Sequence, residues 1–158
     1  MLQLSNQHVQ HLKAHATRTY PEECCGLLLG LLLRPLTPDR PHKQVIKIWE
    51  TVNAWTLEVG ADLTAVIPHL GKGKSDRFWI DPQDLLTAQR YASDHQIDIV
   101  GIYHSHPDHP AVPSESDRLL AWSAYSYLIL SVQSGIVSDY CCWTLDQHHQ
   151  FQPEETIG

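Results

Sequence analysis

Apolar and polar residues follow two rhythms along this chain, and the switch between them marks its elements. Val9, Leu12 and Ala16 recur at helical spacing behind Ser5, a good N-cap, which predicts a helix over 5–19. Pro21 punctuates it. Residues 24–34, CCGLLLGLLLR, form a short apolar run dotted with glycine and predict a buried strand. Three prolines make 35–42 a loop, and the alternation in KQVIKIWETV predicts a half-buried strand over 43–52. Residues 53–77 are poorly patterned and end in GKGKSDR, which reads as a flexible basic tip. Phe78 to Ile80 suggest a short strand.

Asp81-Pro82, with Asp84 three residues after the cap, opens a helix to about His95. IVGIY is apolar on both faces, so 97–106 reads as a central strand. A second Pro-rich loop covers 107–113, and Ser114 starts a short helix to about Ser123. Strands follow near 126–132 and 136–145. The polar stretch after Gln147 reads as loose. Strands mixed with helices predict one domain over 1–147, α/β or α+β, with α/β favoured, and a polar tail over 148–158.

Composition narrows what this domain does. At 158 residues, 42% hydrophobic and 18% charged, the chain suits one folded domain. A net charge of −7 argues against a general nucleic-acid binder, which must meet phosphates with cations. The longest nearly apolar run, Cys24 to Leu33, is too short to span a bilayer, and the N-terminus lacks a secretory pattern. The four cysteines form two adjacent pairs, Cys24–Cys25 and Cys141–Cys142, which is neither a zinc pattern nor a spaced disulfide framework. A reducing cytoplasm is the simplest setting. Eleven histidines are the conspicuous excess.

The chemistry concentrates in His104-Ser105-His106-Pro107 and Ser114-Glu115-Ser116-Asp117. Residues i and i+2 of a strand face one way, so His104 and His106 present two imidazoles together where Pro107 ends the strand. Two imidazoles and a carboxylate are a ligand set for catalytic zinc with an open position, and Asp117 in the next helix is the third candidate. Glu22-Glu23, just ahead of the first long strand, offers a carboxylate for proton transfer. Each piece also has an ordinary reading. The histidine pair could be coincidence in a histidine-rich chain, Ser114 and Asp117 form a helix-capping signature, and Glu22-Glu23 could be a solvated turn. Together they favour a metal site.

These residues resemble the JAMM (MPN+) zinc metalloprotease family, in its small bacterial single-domain form. The family's metal motif is His-x-His-Pro followed by Ser-x-x-Asp, with ten residues between the second His and the Asp. Residues 107–116 supply those ten here. The upstream pattern Pro-x-Glu-x-x-Gly-x-Leu-x-Gly is matched by Pro21, Glu23, Gly26, Leu28 and Gly30, which selects Glu23 over Glu22. Phe78-x-Ile80-Asp81-Pro82 and Ile99-Val-Gly-Ile-Tyr-His104 also fit, and the resemblance covers about residues 4–145.

The resemblance implies a curved mixed sheet flanked by helices, similar to cytidine deaminases. It implies one zinc per chain held by His104, His106 and Asp117, Glu23 as general base and Ser114 as oxyanion donor. It implies hydrolysis of a peptide or isopeptide bond at the Gly-Gly tail of a ubiquitin-like or sulfur-carrier protein, bound in an extended groove by strand addition. It leaves open the carrier, the bond type, whether the chain pairs as a homodimer, and whether it works alone.

Other readings are less complete. His104-Ser-His106-Pro-Asp108-His109 also spells His-x-His-x-Asp-His, a two-metal hydrolase signature resembling metallo-β-lactamases. That fold needs further ligands downstream, where only His148, His149, Asp139 and Asp146 remain, so Asp108 and His109 read as solvating their loop. Zinc deaminases need His-x-Glu and Pro-Cys-x-x-Cys, both absent. Gly73-Lys74-Ser75 lacks the earlier glycine of a phosphate loop, since Pro68 stands there. A metal-free scaffold that binds partners would typically have lost a ligand. Cys24 and Cys25 have no neighbouring cation and read as core packing. His8, His11 and His15 read as a solvated helix face.

Overall fold

A computed structural model describes residues 1–33 and 41–158; most of the proline-rich loop at 35–42 therefore lies outside the described residues. The elements are β1 (Leu2–Gln3), α1 (Asn6–Thr19), β2 (Cys25–Leu33), β3 (His42–Thr51), α2 (Leu57–Asp62), α3 (Pro82–Asp94), β4 (Asp98–Pro107), α4 (Glu115–Leu120), β5 (Ser126–Gln133), β6 (Ile136–Leu145), β7 (Phe151–Glu154) and β8 (Thr156–Ile157). The strands join one mixed sheet in the order β7-β6-β5-β4-β2-β3-β1-β8. The edge strands β7 and β8 are separated in sequence by Glu155 alone. One residue spans at most about 3.6 Å, so the sheet must curl until its two ends adjoin. Among the described residues, no helix is long and apolar enough to cross a membrane.

The central strands are buried on both faces, which is why residues 25–30 of β2 carry no polar side chain beyond a thiol. Leu28 joins Leu12, Ala16, Val100, Tyr103 and Leu128 in the core under α1, while Leu27 and Leu29 join Ala88, Ile99 and Ile102 under α3. Leu27, Leu28 and Leu29 are fully buried, each worth about 1.5–3 kcal/mol relative to exposure. Gly26 is required at its position: a Cβ there would collide with the Trp49 carbonyl oxygen and the Tyr103 ring. In β4 the register to β2 skips Val100, a bulge that turns Ile99 and Ile102 toward the same core. His104 and His106 continue the alternation from Ile102, so the bulge sets the face on which the imidazoles emerge.

Several elements differ from expectation. Residues 151–157 are not loose: Phe151 stacks edge-on to Tyr127 and pairs with Leu145, and β8 pairs in parallel with β1. Gln152 and Pro153 face solvent at a sheet edge while the Glu154 side chain turns inward to the Met1 ammonium, which hides the strand from a hydropathy reading. α2 lies in the stretch without pattern, capped by Thr56, whose side chain accepts from Val59 N–H. Phe78 to Ile80 pair with no strand, although the Trp79 carbonyl accepts from Ala54 N–H. The basic tip is anchored. The Asp76 carboxylate accepts from Lys72 and Gly73 N–H, and the Lys74 carbonyl accepts from Glu23 N–H at 2.7 Å. α4 ends at Leu120, because Ala121 is extended. His15 is in the core, where its Nδ1 meets the Tyr103 hydroxyl at 2.8 Å.

Candidate active site

The antiparallel pairing of β2 with β4 builds the site. Cys25 lies opposite His104, and Ser105 N–H donates to the Cys24 carbonyl. The same register carried two residues further sets Glu23 opposite His106. Glu23 is 5% exposed and lines a cavity of about 310 Å³ together with Asp76, Arg77, His106 and Ser114. Glu22, its neighbour, is exposed and faces a different cavity. Burial pushes the Glu23 carboxyl well above the ordinary range; the charges of Asp117 and Asp76 push the same way, and Arg77 opposes them.

His104 is fully buried and its ring stacks on Phe78 at 4.4 Å. Its Nε2 lies 3.0 Å from Nε2 of His106. His106 Nδ1 lies 2.8 Å from the Pro110 carbonyl oxygen, which can only accept, so Nδ1 carries a proton and Nε2 is the ring atom left to face the other donors. The Asp117 carboxylate reaches across from α4, 3.4 Å from His104 Nε2 and 3.5 Å from His106 Nε2. Among the described residues these three form the group that could hold a metal ion, with all ligand atoms within 4.8 Å of one another.

The donor set fits zinc. Four ligands at about 2.0–2.1 Å in a tetrahedron stand about 3.3 Å apart, close to the 3.0, 3.4 and 3.5 Å separations here. Burial lowers the His104 pKa despite the pull of Asp117, which keeps a neutral imidazole for coordination. Burial works against the Asp117 charge, but both imidazoles hold it well below the ordinary range.

Ser114 is both cap and cavity wall. Its Oγ accepts from Asp117 N–H at 3.1 Å, and its own N–H donates to the Asp117 carboxylate at 2.6 Å. The capping reading therefore holds, and the hydroxyl hydrogen remains free to donate toward the cavity. Beside it runs a second, largely apolar cavity of about 390 Å³, walled by Trp55, Phe78, Trp79, Trp122 and Tyr127 and reaching His104 and Asp117.

Asp108 does not simply solvate its loop. It sits at φ +55°, and its carboxylate accepts from Ser134 N–H at 2.8 Å and the Tyr20 hydroxyl at 2.9 Å. It thereby ties the end of β4 to α1 and to the β5–β6 turn. The His109 carbonyl accepts from the Ser131 hydroxyl at 2.7 Å. The cysteines at 24 and 25 are buried and free, and burial pushes both thiols up to about 12. That excludes a ready thiolate.

A curved mixed sheet that brings two strand-end imidazoles and a helix-borne carboxylate to one cleft defines a JAB/MPN-fold domain. The chain matches the family described as prokaryotic homologs of the JAB domain over residues 5–146, and it belongs to that family. It is 35% identical over 144 residues to a desampylase of Haloferax volcanii, covering 90% of this chain and 84% of that protein. It is 29% identical over 123 residues to the CysO-cysteine peptidase of Mycobacterium tuberculosis, covering 77% of this chain and 66% of the relative. A solution structure of a protein from Desulfitobacterium hafniense superposes with a TM-score of 0.74 at 26% identity, over 99% of this chain and 92% of that one. A JAB1/MPN domain protein from Archaeoglobus fulgidus shares the fold, with a TM-score of 0.50 at 14% identity, over 99% of this chain and 98% of that one.

Proposed function

We propose that this chain is a zinc-dependent peptidase of the JAMM type. Its substrate is a peptide or isopeptide bond that follows the Gly-Gly tail of a ubiquitin-like or sulfur-carrier protein. The observation that carries the reading is the convergence of His104, His106 and Asp117 beside a cavity that also holds Glu23 and Ser114. The similarity to a desampylase and to a CysO-cysteine peptidase supports the substrate class.

His104, His106 and Asp117 would hold the metal. A zinc ion held by these residues would supply Lewis acidity, which would lower the pKa of water toward about 7 and polarise a carbonyl. Glu23 takes the proton of the attacking water and returns it to the leaving amine. Its burial raises its proton affinity and so suits a general base working near neutral pH. The Ser114 hydroxyl, its oxygen already fixed by Asp117 N–H, donates to the carbonyl oxygen as negative charge develops. The aromatic walls of the adjoining cavity exclude water from the reacting bond.

The test is cleavage of a ubiquitin-fold carrier extended by one cysteine after Gly-Gly, and of the same carrier joined to a lysine side chain, followed by mass spectrometry. The reading expects release of the carrier ending in Gly-Gly from at least one substrate, loss of release with chelator, and recovery with zinc. Binding of both carriers without turnover, indifferent to chelator, would contradict it and favour a scaffold.

A further inference from the structure

Asn53 follows β3 in the stretch where the sequence carries no pattern, yet it is 5% exposed and uses its whole hydrogen-bonding capacity. Its Nδ2 donates to the Glu23 carbonyl at 3.1 Å and to the Arg77 carbonyl at 2.9 Å. Its Oδ1 accepts from Trp55 N–H at 3.0 Å and from Trp79 N–H at 3.2 Å. Two backbone carbonyls need a double donor, and two backbone N–H groups need a double acceptor. Only a primary amide offers both from one short side chain, and the partners leave its orientation no choice.

These four bonds join the cleft's parts. Glu23 lies on the wall of the polar cavity, Trp55 and Trp79 wall the apolar cavity, and Arg77 borders both. Glu23 is held from its other side by its own N–H, which donates to the Lys74 carbonyl. Its backbone is therefore tied through N–H and C=O to the 74–77 segment. Its carboxylate, by contrast, forms no hydrogen bond among the described residues.

We infer that Asn53 is a positioning residue, which sets the Glu23 carboxylate at the metal donors by fixing Glu23's backbone to the 77–79 wall. The inference rests on the proposed role of Glu23 as base. Asp at this position keeps the acceptors for Trp55 and Trp79 but turns oxygens toward two carbonyls. Ala removes all four bonds.

The experiment is steady-state cleavage of the Gly-Gly-cysteine carrier by zinc-loaded enzyme, comparing Asn53→Asp, Asn53→Ala, Glu23→Gln and the double variant Glu23→Gln/Asn53→Ala. Both Asn53 variants are expected to bind zinc at the wild-type ratio and to lose at least tenfold in kcat. In the Glu23→Gln background, Asn53→Ala is expected to cost less than twofold, because the group it positions is already gone. If Asn53→Ala does not fold, Asn53→Ser, which restores one donor and one acceptor, takes its place in both backgrounds. A rise in KM at unchanged kcat would overturn the inference, as would a full multiplicative loss in the double variant. Either result with a Glu23→Gln enzyme slowed a hundredfold or more, yet still measurable, overturns the inference alone. A Glu23→Gln enzyme as active as wild type overturns both it and the proposed mechanism.

Discussion

Replacing Glu23 by Gln separates chemistry from stability. The two side chains are isosteric, and the Glu23 carboxylate has no hydrogen bond among the described residues for the amide to lose. In the proposed mechanism, activity depends on the proton the carboxylate takes. Removing a positioned general base costs about 10²–10⁴-fold in rate, equivalent to about 3–5 kcal/mol of transition-state stabilisation. Stability of the metal-free protein moves the other way. Burial raises the Glu23 pKa in the folded state, so at neutral pH the buried charge opposes folding, and that penalty grows as pH climbs above the ordinary carboxylate value. A neutral amide removes it. Carrier cleavage by the zinc-loaded enzyme and thermal melting of the chelated protein at pH 7 are measured on the same preparation. The account expects a rate loss within that range and a melting temperature equal to or above wild type. Activity within threefold of wild type, or a melting temperature several degrees lower, would refute the reasoning.

Three further outcomes follow from the geometry. Asp108→Ala removes the brace behind His106 and places alanine at φ +55°, so zinc is expected to dissociate about tenfold faster in a chelator chase. Asp108→Asn, which tolerates that φ and keeps an acceptor for Ser134 N–H, stays within threefold of wild type. Zinc at a hundredfold excess over its dissociation constant stabilises by about 2.7 kcal/mol, or roughly 5–10 °C for a domain of this size, and Asp117→Asn is expected to abolish most of that shift while keeping the α4 cap. Burial lowers the His15 pKa, with Glu50 opposing. The unfolded chain therefore takes a proton first as pH falls below about 6.5, and stability drops. The slope of melting temperature between pH 7 and 5 should be shallower in His15→Gln than in wild type.

The parts of this fold visible in the sequence are those whose pattern arises locally. α1 and α3 announce themselves by caps at Ser5 and Asp81 and by apolar spacing. β2 and the IVGIY stretch of β4 stand out as apolar runs, because Cys25–Gly30 and most of 99–103 are buried. The elements that escaped are short and made by their neighbours. β1 and β8 have two residues each, paired with each other, and β7 carries Pro153 and polar outward positions at a sheet edge. His15 could have been found, since it shares a helix face with Leu12 and Ala16, but histidine abundance masked it. The pair His104 and His106 was legible because residues i and i+2 of a strand face one way, and Asp117 as a third candidate because it opens the next helix; Glu23 was separated from Glu22 only by the family resemblance. Asn53 and Asp108 were not legible, because their partners come from segments 24 to 88 residues away, or from backbone atoms that no motif records.

The central claim is a zinc site of three protein ligands with one open position. Its most direct test is the zinc-to-protein ratio, by elemental mass spectrometry, of protein purified without added metal or a histidine tag. The account predicts about one zinc per chain, falling well below one in His104→Ala and Asp117→Asn. A ratio near zero that added zinc does not restore would contradict it, as would a ratio near two.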